Sequence, residues 1–468
     1  MHCSFHGAAR TVTGSKHLLT LNSGRQVLLD CGMFQGLGRQ TDVLNAHFGF
    51  DPRVIDCVIL SHAHIDHSGL LPKLVKEGFR GPIYATDATR ELAAILLYDS
   101  AHIQRSVHDG HAQLYTEEDV EGALAQFKDI PMNTWTDLSD DVAVLLSGAG
   151  HIVGSTAVSL AIKENGNTTN ILYSGDIGRY RSALMQGPSA CPQADFIIME
   201  TTYGNVMHEL HGNVVDALAK QIEETCVAKS GRLIIPAFSV GRTQELLYAL
   251  NQLELEKRLP AIPYVVDSPL AHKATNITCR HLSYFNDQLQ QVLAIDDNPF
   301  DFKGLNYIDD PEQSRMLCES KEPCVIIGAS GTADAGRIRH HIKQCVGDAK
   351  NTILMAGYCS PQTLAGKLLR GSKKVEIQGE SCGVRARIGK LYGMSAHGDQ
   401  DDLCRFLACQ DPAKVQQVFL VHGEYAVQRA FAEKLAVKGF RNVRVPAQHG
   451  KVELTKRGRR KRVQKVAA

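Results

Sequence analysis

The stretch SHAHIDHSG, Ser61 to Gly69, crowds three imidazoles and a carboxylate onto one short turn: His62, His64, Asp66 and His67. Neutral imidazole and carboxylate are the usual nitrogen and oxygen ligands of zinc. Residues two apart in a tight turn aim at one point, so His62 and His64 suit one metal. Asp66 and His67, one step further round, suit a second metal displaced from the first. Without metal, the turn would press several titratable groups together for no structural gain. A lone loop histidine is ordinarily just a satisfied polar residue. The pattern H-x-H-x-D-H directly after an apolar strand is not explained that way.

Two metals need more ligands than this turn offers. SGAGHIVGST places His151 in a glycine-rich loop, SGDIG places Asp176 in another, and LVHGE ends a late strand at His422. A carboxylate can bridge two metals. The expected set is therefore His62, His64 and His151 on one zinc, and Asp66, His67 and His422 on the other. Asp176 is shared, and a water or hydroxide sits between two Zn2+ ions.

The elements that must position these residues are visible as short apolar runs. RQVLLDCG, DCVILSHAH, VAVLLSGAGH, NILYSGDIG and ADFIIMETTYG read as buried strands. They end at or beside Asp30, His62, His151, Asp176 and Glu200. Strand ends feeding loops at one sheet edge are where α/β folds place their chemistry. From 206 to 385 the rhythm changes. Helical stretches such as NVVDALAKQIEETCVAKS and GRTQELLYALNQLELEK alternate with strands such as GRLIIPAF and EPCVIIGAS, which implies a parallel, helix-flanked sheet. KVQQVFLVHGE then resumes the earlier pattern. The fold class is α/β: a metal-binding domain over 1–205, an inserted domain over 206–385, and a return segment over 386–455. The basic tail, 456–468, reads as a solvated terminus, with a non-specific phosphate-backbone contact as the alternative.

Composition narrows the classes further. With 44% hydrophobic and 22% charged residues among 468, a sizeable core is available. Lys plus Arg total 51 against 50 acids, so global charge points to neither nucleic acid nor membrane. The 13 cysteines are scattered without a C-x-x-C pair, which reads as reduced thiols in the cytoplasm. No apolar h-region or membrane-length apolar run is present, so neither a signal peptide nor an anchor is expected.

LLDCG with Asp30, HAHIDH, His151 and SGDIG with Asp176 together resemble the metallo-β-lactamase fold. The resemblance implies an αββα sandwich with metals at one edge and Asp30 supporting the histidine turn from behind. METTYG with Glu200, GMSAHGD with His397 and LVHGE with His422 look like the three signature motifs of its β-CASP branch, whose members cut nucleic acids. IIPAFSVGRTQELLY, VVDSPLA and IGASGTADAGRIRHH agree in order, and the likeness covers residues 5 to 450. RNA-processing members carry histidine in the third motif, and DNA-repair members an aliphatic residue, so His422 favours RNA. The chain is similar to stand-alone bacterial and archaeal members and to the pre-mRNA 3′-end endonuclease. Ribonuclease J, with its extra C-terminal domain, is a poorer match.

The implied activity is zinc-dependent hydrolysis of single-stranded RNA. His397 is the general acid, Glu200 orients it and raises its pKa, and Asp66 counts among the catalytic residues. Ser330, Gly331 and Thr332 replace the family's commoner Ser-Gly-Met. With Arg242, they are expected to hold phosphate at strand-to-helix turns. Arg242 and Arg337 have a plainer alternative as salt-bridge partners at helix ends. The insertion is expected to leave a cleft too narrow for a duplex, and members of the branch often dimerise, so a homodimer is expected. The alternatives are a DNA nuclease of the same branch or a catalytically silent RNA-binding paralogue. Complete ligand positions argue against the latter.

Overall fold

In the computed structural model of the chain, the described residues are 1–106, 113–208, 213–357 and 359–456. The basic tail beyond Lys456 lies outside them.

Two seven-stranded sheets stack face to face. In the first, the strands lie in the order Gly450–Glu453, His2–Gly7, Lys16–Thr20, Gln26–Leu29, Cys57–Ile59, Ile83–Ala85 and Phe127–Asp129. In the second, the order is Val443–Arg444, Gln417–Val421, Phe196–Glu200, Asn167–Tyr173, Thr156–Glu164, Val142–Gly148 and Thr136–Ser139. The last strand thus lies beside the first, Gln417–Val421 joins Phe196–Glu200, and the return segment closes both sheets. Alternate residues of one strand face opposite sides, and the burial follows. Ile171 and Tyr173 pack between the sheets with Leu29, Ile59 and Phe419. Leu172 faces the other way, onto Leu403, Phe431 and Leu435. Those three lie on the helices Gln400–Phe406 and Tyr425–Val437. The outer face of the first sheet carries Leu28 and Val58 against Leu74, Leu92 and Val120. Their helices are Leu71–Lys76, Asp87–Ser106 and Glu117–Leu124. Helices cover both outer faces, and the architecture is the αββα sandwich.

The inserted domain has its own sheet of six strands: Leu305–Tyr307, Tyr264–Val266, Cys324–Gly328, Arg232–Pro236, Thr352–Met355 and Arg387–Lys390. All its pairings are parallel. A continuous apolar run such as LIIP or CVIIG is what a strand covered on both faces requires. The strand Arg387–Lys390 hydrogen-bonds to Thr352–Met355. This strand follows the boundary read at 385/386 and belongs by pairing to the inserted sheet. RIGK is a half-exposed edge strand, too short and polar to register as a period. Because every strand runs one way, the loops after them gather at one edge. The loop after Lys390 leads within seven residues to His397, so this edge faces the metal-domain site.

Candidate active site

Four loops at the strand ends of the sandwich converge on one point. The first is the His62–Ser68 turn, following the strand Cys57–Ile59. The turn is held close to the Asp30–Gly32 loop: a Cβ on Gly32 would lie 1.6 Å from the Asp66 carbonyl oxygen. Only glycine permits that approach.

Asp30, fully buried, organises the turn. Its Oδ1 accepts the Ser61 backbone N–H at 2.7 Å. Its Oδ2 accepts from Ser61 Oγ at 2.7 Å, Tyr173 Oη at 2.6 Å and His67 Nδ1 at 2.6 Å. His67 is thereby fixed with its Nδ1 on Asp30 and its Nε2 turned inward. The same division recurs at three other histidines. His62 Nδ1 donates to Ser61 Oγ at 3.1 Å, His151 Nδ1 to the Ala396 carbonyl at 3.2 Å, and His422 Nδ1 to Thr202 Oγ1 at 2.9 Å. Each turns its Nε2 toward the centre.

The inward atoms form two groups. His62 Nε2 and His151 Nε2 lie 3.2 and 3.1 Å from His64 Nδ1, and the three nitrogens face Asp176. In the other group, His422 Nε2 lies 3.3 Å from Asp66 Oδ2, with His67 alongside. Asp176 stands between them. Its Oδ2 faces His62 and His151 at 3.5 and 3.6 Å, and its Oδ1 faces His67 and His422 at 3.2 and 3.6 Å. Burial raises the cost of the Asp176 charge, yet the surrounding imidazoles, His422 first, hold its pKa well below the usual value.

This donor set fits divalent cations. Facing lone pairs repel, and one proton on His64 cannot serve two neighbours. Asp176 Oδ1 is buried with no hydrogen-bond partner, a costly state for an anion. A cation in each group would satisfy all of these atoms at once.

His397 and Glu200 lie beside the first group. Glu200 is fully buried at the end of its strand. Its oxygens accept the N–H groups of Ile177 and Thr202, each at 2.9 Å. His397 Nδ1 donates to Glu200 Oε1 at 3.2 Å and lies 3.9 Å from Asp176 Oδ2. Burial disfavours the His397 cation, but the Glu200 carboxylate, then Asp176 and Asp66, outweigh it and lift its pKa to about 9. His208 Nε2 donates to the His397 carbonyl at 2.9 Å.

The expected phosphate holders lie on two loops that follow strands of the inserted sheet, after Arg232–Pro236 and after Cys324–Gly328. Arg242 is the first residue of its helix, is largely buried, and pairs with Glu245. Arg337 is tied to Asp267 at 2.8 Å. The expected arrangement of strand, glycine turn and helix does not hold for Ser330, Gly331 and Thr332. They lie in a loop between Gly328 and a helix that begins only at Ile338. Ser330 Oγ is taken by the Ala335 N–H and by Thr332 Oγ1, and Gly331 packs against Phe238. No helix N-terminus is presented there. Sequence reasoning missed Ser61, Tyr173, Thr202 and Ala396, which orient the histidines. Each lies within three residues of an expected site residue. That adjacency was the only signal available.

Comparison with known proteins finds three family matches along the chain. Residues 17–223 match the metallo-β-lactamase superfamily, 243–368 the β-CASP domain, and 382–446 a "Zn-dependent metallo-hydrolase RNA specificity domain". The chain is similar to ribonuclease TTHA0252 of Thermus thermophilus, 37% identical over 92% of this chain and 95% of that protein. It is 30% identical to the transcription termination factor FttA of Cenarchaeum symbiosum, over 93% of this chain and 67% of that protein. It is 29% identical to an RNase J-like protein of Methanocaldococcus jannaschii, over 92% and 94%. A solved structure of a protein of unknown function from Enterococcus faecalis V583 shares the fold, with a TM-score of 0.53 at 11% identity over 97% of this chain and 99% of that one.

Proposed function

Because this chain belongs to the β-CASP nucleases of the metallo-β-lactamase superfamily, a family of metal-dependent hydrolases, we propose that it is a zinc-dependent ribonuclease acting on single-stranded RNA. The observation that carries the reading is the shared Asp176 carboxylate, with one oxygen facing each histidine group and Oδ1 lacking any hydrogen-bond partner. His62, His64 and His151 would hold one zinc, Asp66, His67 and His422 the other, with Asp176 common to both. Two cations so held supply acidification of the attacking water and screening of the charge that builds on phosphorus.

The protein's own groups do the rest. Asp30, Ser61, Thr202 and the Ala396 carbonyl keep each imidazole in one tautomer, so the site is set before substrate arrives. Glu200, held by two backbone N–H groups, cannot swing away from His397. It therefore keeps Nδ1 protonated and turns Nε2 outward. His397 donates its Nε2 proton to the departing 3′ oxygen of the RNA strand and recovers it from solvent, to which its side chain is 22% exposed.

The test is cleavage of 5′- and 3′-labelled single-stranded RNA, beside the matched DNA, with zinc content measured. His397→Ala should retain zinc and lose cleavage by about 100-fold or more. Preferred cleavage of DNA, or near-parental RNA cleavage by His397→Ala, would overturn the assignment.

A further inference from the structure

Beyond the metal ligands and the His397–Glu200 pair, one cation stands on the rim of the site with no assigned role. The loop from Ala8 to Ser15 is sewn to the metal-facing residues at both ends. Ala8 and Thr11 carbonyls accept the N–H groups of His422 and Gly423 at 2.7 and 3.1 Å, and Ser15 N–H donates to the Asp66 carbonyl at 2.8 Å. Ala8 at φ +48° and Arg10 at φ +64° hold left-handed conformations that non-glycine residues rarely adopt. Such strain persists where surrounding contacts impose it, and it gathers at functional sites.

The turn so formed lifts Arg10 to the surface, exposed, with its guanidinium 4.9 Å from the centre of the Tyr425 ring. Tyr425 is 46% exposed and lies three residues after His422. Among the described residues no carboxylate lies within ion-pair distance of Arg10. Arg242, Arg337 and Arg90, by contrast, are paired with Glu245, Asp267 and Asp129. A guanidinium stacked on an aromatic face keeps its planar fork of N–H donors free for a phosphate. Its conformational freedom is already reduced, so less is lost when it binds.

We propose that Arg10, steadied by the Tyr425 ring, grips a backbone phosphate next to the scissile one, on the Asp66–His67–His422 side of the site. This rests on the reading of the protein as a ribonuclease and adds a strand-holding subsite to it. Tyr425 acts through Arg10 and is a positioning residue.

The experiment is fluorescence anisotropy of a 5′-fluorescein single-stranded RNA oligomer titrated with the zinc-loaded full chain carrying His397→Ala, so the strand stays intact. Adding Arg10→Ala should weaken binding roughly tenfold. It should also flatten the slope of log affinity against log salt by about 0.7, the loss of one phosphate contact to a single strand. Arg10→Lys, which keeps charge but loses the fork, should restore the slope and only part of the affinity. Tyr425→Ala should weaken binding less than Arg10→Ala, with the slope kept. Unchanged affinity and slope in Arg10→Ala overturn the subsite, and a Tyr425→Ala variant identical to its parent overturns the steadying role. Failure of the otherwise unaltered zinc-loaded protein to cleave RNA would instead strike the functional reading, independently of the titration.

Discussion

At His67 a single hydrogen bond decides which nitrogen can serve a metal. Nδ1 donates to Asp30, and Nε2 is left facing Asp176. Replacing Asp30 with Asn puts an amide where Ser61, His67 and Tyr173 all need an acceptor. Asp30→Asn should lower zinc affinity about 10–100-fold, as outer partners of metal ligands generally do, measured by chelator competition. The His397–Glu200 pair makes a second prediction at this scale. A general acid must be protonated, so activity should fall as pH rises through the His397 pKa. Glu200 raises that pKa by stabilising the cation. Glu200→Gln should therefore move the alkaline limb of the kcat profile to lower pH. A limb that stays put, or moves upward, would remove Glu200 from this role.

The elements that aim these residues differ in how much they disclosed in advance. Strands such as Asn167–Tyr173 and Phe196–Glu200 were legible because a buried strand needs an uninterrupted apolar run, and the polar residue ending it stands out. The helix Gln400–Phe406 is capped at its start by Asp399. Asp399 accepts the N–H groups of Asp401 and Asp402, both at 3.0 Å, and its other oxygen accepts the His208 N–H at 2.9 Å. This cap sits two residues from His397. Asp399→Ala should cost about 1 kcal/mol of stability and lower kcat more than it raises KM, because the His397 loop loosens. Thermal melts and steady-state kinetics check both. The Ser330–Thr332 loop was not legible. Strand and glycine were read correctly, but nothing in ASGTADAG says that the helix waits until Ile338.

Across the whole molecule, two domains share one functional edge. The inserted domain packs through its helix Pro269–Thr278 onto Asp87–Ser106. Arg280 and His281 beyond that helix reach Glu91 at 2.6 and 3.4 Å. His397 arrives on the loop leaving the inserted sheet, while Glu200 and the ligands belong to the sandwich. Loss of metal should therefore be felt globally. Ligands from the turn after Cys57–Ile59, the loops near residues 151 and 176, and the end of the strand Gln417–Val421 would face one another unsatisfied. Chelation with EDTA should lower the melting temperature, and excess zinc should restore it. At a thousandfold excess over Kd the linkage amounts to about 4 kcal/mol. A melting curve indifferent to metal would contradict the ligand set.

The amino-acid sequence by itself determined the chemical types and their order: four residues of metal-ligating type on one turn, three more at strand ends, and the motifs around Glu200, His397 and His422. Those are properties of short segments, so local spacing and apolar patterning display them. Only the tertiary structure decided which nitrogen of each histidine turns inward, that Asp176 offers one oxygen to each group, that Arg242 is spent on Glu245, and that Arg10 meets Tyr425. These depend on side chains brought together from distant parts of the chain, and a contact between remote segments leaves no period or spacing in the sequence to read.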